Sequence, residues 1–443
     1  MIEKTDGVHM GIGEGAFRSV RIGIDARWLS KPNPSGIGVY LIEILTRLNQ
    51  IDDENEYFLF SNRPFVDSIE WRDNFHEVMI PGKVGSLWML RELRQKLPDY
   101  RLDVFWGPEH VLPGERKNLL PDGMKNLLSD GMKNLLPDGM RNLRPGGMKN
   151  QLSARKKGAR VGGKRGAASD DLRGVRMVLT VHDIALMIHP TWGKWYNSLI
   201  QNTLARNSIR RADEIISVSK STKRDLVKRL KVQPEKIRGI YEGRNELASY
   251  TAQQEREILE KVGKPYLLYI GTLEPRKNVA SIVRAFDLLK RDEAYSEYRL
   301  VLAGGLGWNY KEILKVIDES PNREDIIRPG YVSAEEKSIL LHNARVFLFP
   351  SFYEGFGIPV VEAISAGVPV ITARNSSLPE AAGPAESYVD RADDVAGIRD
   401  LIREVLGLSE EERAARSESS RKYIQRFDWG KCAEKVRMVL TRR

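Results

Sequence analysis

The sequence has little with which to cross-link itself or hold a metal. It contains one cysteine, Cys432, so no internal disulfide can form, and a reducing compartment is expected. Its six histidines are scattered without ligand spacing, and no two aspartates stand two residues apart, so no metal is expected. No apolar run approaches the roughly 18 residues that a membrane-spanning helix needs. Residues 1–20 lack the apolar centre of a secretory signal and read as a flexible leader. Together these absences lead us to expect a cytoplasmic protein.

Acidic charge is also scarce in one place. The chain carries a formal charge of +10. Arg116 to Arg176 hold 15 Lys/Arg against 5 Asp/Glu, which accounts for all of it; the other 382 residues balance. The charged stretch is also repetitive. From Lys117 it reads KNLLPDGM, KNLLSDGM, KNLLPDGM and RNLRPGGM. A period of eight fits neither a heptad nor the common solenoid lengths. Each unit offers only Leu-Leu and Met to a core, and Pro-Asp-Gly favours a turn. The following SARKKGARVGGKR is expected to be disordered. The near-identity of the copies suggests tandem duplication inside a loop. A basic arm of this kind can bind phosphate backbones or an anionic membrane face non-specifically. It lacks the aromatic residues that stack on bases, so no specific nucleic acid is expected. Three readings stay open: an inert insertion, a tether to a surface, or a damaging one.

The 382 remaining residues alternate strand and helix patterns. RIGIDARWL reads as a buried strand, NPSGIG as a small-residue loop, and VYLIEILTRLNQI as a helix. EYFLFSN, VFW, RMVLTVHD and EIISV continue as strands. A second series opens near Lys264 with PYLLYIG and runs through YRLVLAGG, DIIRPGYVS, VFLFPS and VPVITAR, each followed by a helical segment. This alternation predicts two α/β halves, each a parallel sheet covered on both faces. We assign the halves to residues 21–250 and 251–425, with 426–443 as a closing helix.

Polar chemistry is densest in PSFYEGFGIPVVEAISAGVPVI, Pro350 to Ile371. A buried strand ends at Pro350, where parallel sheets place ligands. Glycines there let a ligand approach the backbone, and a helix N-terminus offers free N–H groups to an anion. A carboxylate such as Glu362 can accept bonds from two adjacent hydroxyls, as on a ribose. Taken singly, a loop glutamate is usually a solvated charge and a lone Arg-Lys pair a basic turn. The combination is much harder to explain that way.

Glu354 and Glu362, with seven residues between them, form an E-x7-E pattern. On this and on SFYEGFGIPVVEA, NSSLPE, YIGTLEPRKN, LAGGLGW, RPGYVS, FDW, IGIDARW…SGIGVY and TVHDIA, the chain resembles the retaining glycosyltransferases of family 4, group 1. Its variant motifs resemble the branch in which mannosyltransferases using GDP-mannose are common.

The resemblance implies the GT-B fold, two Rossmann-like domains facing across a cleft. The second would hold the nucleotide sugar and the first the acceptor, with the closing helix crossing back to the first. Glu362 would bind the ribose and Glu354 the transferred sugar. Gly271 and the backbone of Phe356, Gly357 and Ile358 would face the donor. Arg276 and Lys277 would hold the diphosphate, whose charge grows as it leaves. Much of the family has arginine where this chain has Thr272, so Arg276 is expected to take that role. His182 would contact the transferred sugar, Asp183 would orient, and Gly36 and Gly38 would lie in a loop closing over the diphosphate. No cofactor is implied beyond the donor, GDP-mannose being the leading candidate. The acceptor would be a glycan or a lipid-linked sugar of cell-surface polysaccharide synthesis, reached by peripheral contact at the inner membrane face. The competing reading is a non-catalytic scaffold of the same fold that binds nucleic acid or membrane through its basic insert.

Overall fold

The computed structural model describes residues 18–32, 36–66, 69–82, 88–114, 172–192, 195–263 and 265–442. Residues 1–17 and 115–171 lie outside these, and with them the expectations for the leader and for most of the repetitive segment.

Thirteen strands form two sheets among the described residues. The first contains β1 (Arg21–Asp25), β2 (Glu56–Ser61), β3 (Phe75–Met79), β4 (Val104–Gly107), β5 (Arg176–Val181), β6 (Glu214–Ser217) and β7 (Ile237–Gly239). Its order is β3-β2-β1-β4-β5-β6-β7. The second contains β8 (Tyr266–Ile270), β9 (Arg299–Ala303), β10 (Ile326–Gly330), β11 (Val346–Phe349), β12 (Val370–Ala373) and β13 (Ser387–Val389), in the order β10-β9-β8-β11-β12-β13. Neighbouring strands are parallel throughout. Each sheet therefore reverses its winding once, between β1 and β4 and between β8 and β11. These are the crevices where doubly wound sheets bind ligands, at the carboxyl ends of the strands.

The sequence dictates this layering through burial. Every residue of β4, β11 and β12 is buried, as strands covered by helices on both faces require. The edge strands β3 and β10 bury only their first residue. Three strands escaped the sequence reading: β3, β7 and β13. All are short, and FHEVM carries an edge pattern interrupted by His76 and Glu77. Its register is fixed by contacts no local pattern shows, with Phe75 stacked on Tyr57 at 4.3 Å and on Trp71 at 5.4 Å.

The loop expected at NPSGIG is shorter than its composition suggests. The first α-helix among the described residues spans Gly36–Ile51, so Gly36 and Gly38 are helical, and Gly38 is buried. Tyr40, Leu41, Ile44, Leu45 and Leu48 form the buried stripe that sets this helix. The two glycines lie in its first turn, where glycine costs less than in a helix interior.

The last helix, Trp429–Thr441, packs on Gly36–Ile51, although most of the second half lies between them in sequence. Arg176 donates through Nη2 to the carbonyls of Val439 (2.9 Å) and Leu440 (2.7 Å), which have no partner within their own helix. Trp429 packs edge-on to Tyr40 at 6.0 Å, while Phe427 packs edge-on to Phe356 at 5.0 Å. One short segment thus grips both halves.

The insertion leaves and returns on the side away from the crevices. The chain departs after Gly114, where Arg211 bonds the Pro113 carbonyl. It returns at Leu172, just before β5. Arg211 itself ends the helix leading into β6. Both stems therefore sit at the amino-terminal edge of the first sheet.

Candidate active site

At the second sheet's crevice, β8 runs into Gly271–Asn278 and β11 into Pro350–Gly357. Gly304, at φ 138°, is needed at this edge: a Cβ there would overlap the Gly271 carbonyl, and its backbone conformation suits only glycine. The two loops meet through side chains. Glu354 is buried and accepts Lys277 Nζ at 2.7 and 2.9 Å and Arg276 Nη1 at 3.0 Å. Arg276 also donates to Glu274 at 2.8 and 3.1 Å and to the Tyr353 carbonyl at 2.9 Å. Burial pushes the Glu354 carboxyl up, but the two cations outweigh it and hold it below the usual carboxylate range. Burial lowers Lys277, which Glu354 only partly offsets. The result is one carboxylate between two positive groups at a strand end. Such a cluster can hold a diphosphate while its glutamate turns to a neutral, hydroxyl-rich ligand.

The loop that carries Glu354 is fixed from behind. Its N–H donates to Ser376 Oγ (3.0 Å), and Ser377 Oγ donates to the carbonyls of Glu354 (2.9 Å) and Phe356 (2.8 Å). Gly357, at φ 116°, turns the chain into the helix Ile358–Ala366, with Pro359 in its first turn. The structure thus gathers Gly271, Arg276, Lys277, Glu354, Phe356, Gly357 and Ile358 at one crevice. Phe356 turns its ring inward against Phe427, so only its backbone can meet a ligand.

Glu362 lies one turn further on, buried, accepting Lys337 Nζ (2.6 Å) and Asn245 Nδ2 (2.9 Å). Asn245 in turn accepts the indole N–H of Trp429 at 3.1 Å. The proposed ribose carboxylate is therefore tied to the helix that joins the halves. Lys337 and Asn245 were not visible in the sequence as its partners.

On the facing half, β5 delivers His182 and Asp183. His182 is buried, with Nδ1 on Glu242 Oε1 (3.1 Å) and Nε2 on the Pro108 carbonyl (3.0 Å). Both bonds form at once when each ring nitrogen carries a proton. Burial opposes that charge, but Glu242 and the carbonyl overcome it and raise the pKa. Asp183 accepts the Ala185 N–H at 2.8 Å. Burial would raise its pKa, yet the charge of Arg276 on the other half, with the Ala185 N–H, holds it low. Beneath, Arg27 grips the buried Asp25 through Nε and Nη2, both at 2.8 Å. Trp28 donates to Glu109 at 3.3 Å. Glu242 and His110 were missed in the sequence; the only signal for His110 is that GPEH follows a buried strand. Gly36 and Gly38 are placed in the Gly36–Ile51 helix and not in a closing loop.

The two halves touch across the cleft. Thr222 Oγ1 lies 3.2 Å from the His182 carbonyl and 3.3 Å from the Gly355 carbonyl. Tyr353 donates to Asp225 at 2.7 Å. Glu380 accepts Tyr241 OH and the Lys220 N–H, both at 2.9 Å.

Comparison with known proteins agrees with this layout. Residues 251–423 match the family model "Glycosyl transferases group 1", and residues 159–246 match "Glycosyltransferase Family 4". The O-antigen chain mannosyltransferase B of Escherichia coli is 31% identical over 49% of this chain. The O-antigen chain mannosyltransferase RfbU of Salmonella typhimurium is 28% identical over 42%. The matches span 58% and 49% of those relatives' own lengths. Among solved structures, sucrose-phosphate synthase of Thermosynechococcus elongatus covers 95% of this chain and 98% of its own, at TM-score 0.66 and 14% identity. WaaG, titled a glycosyltransferase involved in lipopolysaccharide biosynthesis, covers 96% and 100% at TM-score 0.63 and 14% identity. With two facing Rossmann-like sheets and family models matched in both halves, the chain belongs to the group 1, family 4 glycosyltransferases and has the GT-B fold.

Proposed function

We propose that this protein is a retaining glycosyltransferase that moves mannose from GDP-mannose to a glycan or lipid-linked acceptor in O-antigen-type polysaccharide synthesis. The observation that carries the reading is the buried Glu354 held between Lys277 and Arg276 at the second sheet's crevice. The mannosyltransferase relatives support mannose. Lys277 and Arg276 neutralise the departing diphosphate, the work a divalent ion does elsewhere, so turnover needs no metal. The acceptor hydroxyl attacks from the face the diphosphate leaves, and a phosphate oxygen takes its proton. The anomeric configuration is retained.

Thermal-shift titration with GDP-mannose, UDP-glucose and UDP tests the donor. GDP-mannose should stabilise most, and proton NMR of the product should show the donor's anomeric configuration. Preference for a uridine donor overturns the mannose assignment, and an inverted product overturns retention. Glu362→Ala should weaken nucleotide affinity about 10- to 100-fold, the range expected for removing charged hydrogen bonds of roughly 1.5–3 kcal/mol. An unchanged Kd by calorimetry would remove Glu362 from the ribose.

The insertion's stems sit at the sheet edge opposite the crevices. Joining Gly114 to Leu172 should therefore leave kcat on a water-soluble acceptor within about twofold, as expected of a change far from the site. A greater fall would give residues 115–171 a part in turnover.

A further inference from the structure

One titratable side chain at the crevice has no task. His110 ends the GPEH turn after β4, at the first sheet's winding reversal. Its ring stands edge-on to His182, with centroids 6.4 Å apart and planes at 70°. Its Nε2 is buried and meets no hydrogen-bond partner. The charged side chains that act on it have partners of their own. His182 has both nitrogens occupied, Asp183 accepts Ala185 N–H, Glu109 accepts Trp28, and Arg276 is bonded to Glu274, Tyr353 and Glu354. A buried polar atom left unpaired is rare and costly, and one found at a ligand crevice asks for a ligand.

The chemistry of that ligand follows from the ring's charge. Burial lowers the pKa of His110 and the neighbouring His182 lowers it further, against the pull of Asp183 and Glu109. A neutral imidazole presents one N–H and one lone pair. A hydroxyl, which can both donate and accept, complements either. A phosphate calls for cations, and those stand on the opposite wall as Arg276 and Lys277.

We propose that His110 Nε2 hydrogen-bonds a sugar hydroxyl in the cleft and so helps select and orient a substrate. The proposal rests on the glycosyltransferase reading above. The hydroxyl belongs either to the transferred sugar or to the acceptor, and two rates distinguish them.

His110→Ala and His110→Gln in the full chain would be assayed for hydrolysis of GDP-mannose by water and for transfer to octyl α-mannoside. The alanine variant should lose about 10- to 100-fold in kcat/KM in at least one assay, chiefly through KM. The glutamine variant, whose amide reaches near the Nε2 position, should recover much of it. A fall in both assays places the hydroxyl on the transferred sugar; a fall in transfer alone places it on the acceptor. Wild-type rates for His110→Ala in both would overturn the proposal. So would a loss that glutamine does not restore and that comes with a lowered Tm, since that is a packing role. If the wild-type chain neither hydrolyses nor transfers any sugar nucleotide, the glycosyltransferase reading itself has failed. The ring can then still be judged by 15N NMR at pH 7, assigned by its loss in His110→Ala: a neutral ring with an unbonded Nε2 is required, and an imidazolium pattern overturns the proposal.

Discussion

Glu354→Gln should retain donor binding and lose turnover. The carboxylate is the one acceptor shared by Lys277 and Arg276, at 2.7 and 3.0 Å. With a neutral amide there, both cations turn more fully to a diphosphate, so nucleotide affinity should hold or rise. The transition state loses a preorganised charge beside the sugar, and kcat should fall about 10²- to 10³-fold. The same change exposes a structural cost. Removing one partner of a buried ion cluster leaves charge uncompensated, at about 3–5 kcal/mol; Arg276 keeps Glu274, so the lower end applies. The apo variant should therefore melt lower than wild type. Added GDP supplies the missing negative charge and should raise its Tm by more than it raises the wild type's. A near-normal transfer rate, or a smaller nucleotide shift than in wild type, would sink this assignment. Acid gives a second signature. The Glu354 carboxyl is held below its usual range, so its stabilisation is present above the unfolded value of about 4.3 and disappears as pH falls through the lower folded value. Wild type and Glu354→Gln should converge in Tm over that interval.

The readable and unreadable parts of this site divide along a physical line. Glu354, Glu362, Arg276 and Lys277 stand at strand ends and helix starts, and local pattern marks those places. That Glu354 pairs with Lys277, 77 positions away, follows only once β8 and β11 lie side by side. The same holds for Glu242 on His182, and for Lys337 and Asn245 on Glu362. His110 is harder still, because its one distinguishing property is a bond it lacks. The two-sheet α/β architecture was legible because central strands of a parallel sheet are apolar throughout. The edge strands β3 and β13 were not, since a half-open strand of three to five residues carries too little pattern. Gly36 and Gly38 misled for the opposite reason. Glycine composition suggested a loop, while the buried stripe from Tyr40 to Leu48 extends the helix through them. The charge excess gave the position of the insertion but not its consequence. Only the bond of Arg211 to Pro113 and the return at Leu172 show that it hangs from the edge opposite the chemistry.

Gly355→Ala should abolish efficient turnover without unfolding anything. Gly355 does not adopt a left-handed backbone, so its own conformation accepts alanine. The obstacle is on the other half: a Cβ there would overlap the carbonyl oxygen of His182 and come within 3.1 Å of Asp183 Cβ. These are backbone and near-backbone atoms, which cannot swing aside as a long side chain can. The halves must part instead, and Thr222 can no longer bridge the His182 and Gly355 carbonyls at 3.2 and 3.3 Å. Lys277 and Glu362 both belong to the second half, so donor affinity should change only a few-fold. Misplacing the facing wall by an ångström should lower kcat about 10²-fold. Gly357→Ala provides the contrast. That residue sits at φ 116°, where any side chain is strained, so its variant should melt lower as well as work poorly. A pair of melting curves and a pair of rates therefore separate closure from folding at two glycines in one loop. Wild-type turnover in Gly355→Ala would show that the contact between the GFG loop and His182 has no part in the reaction.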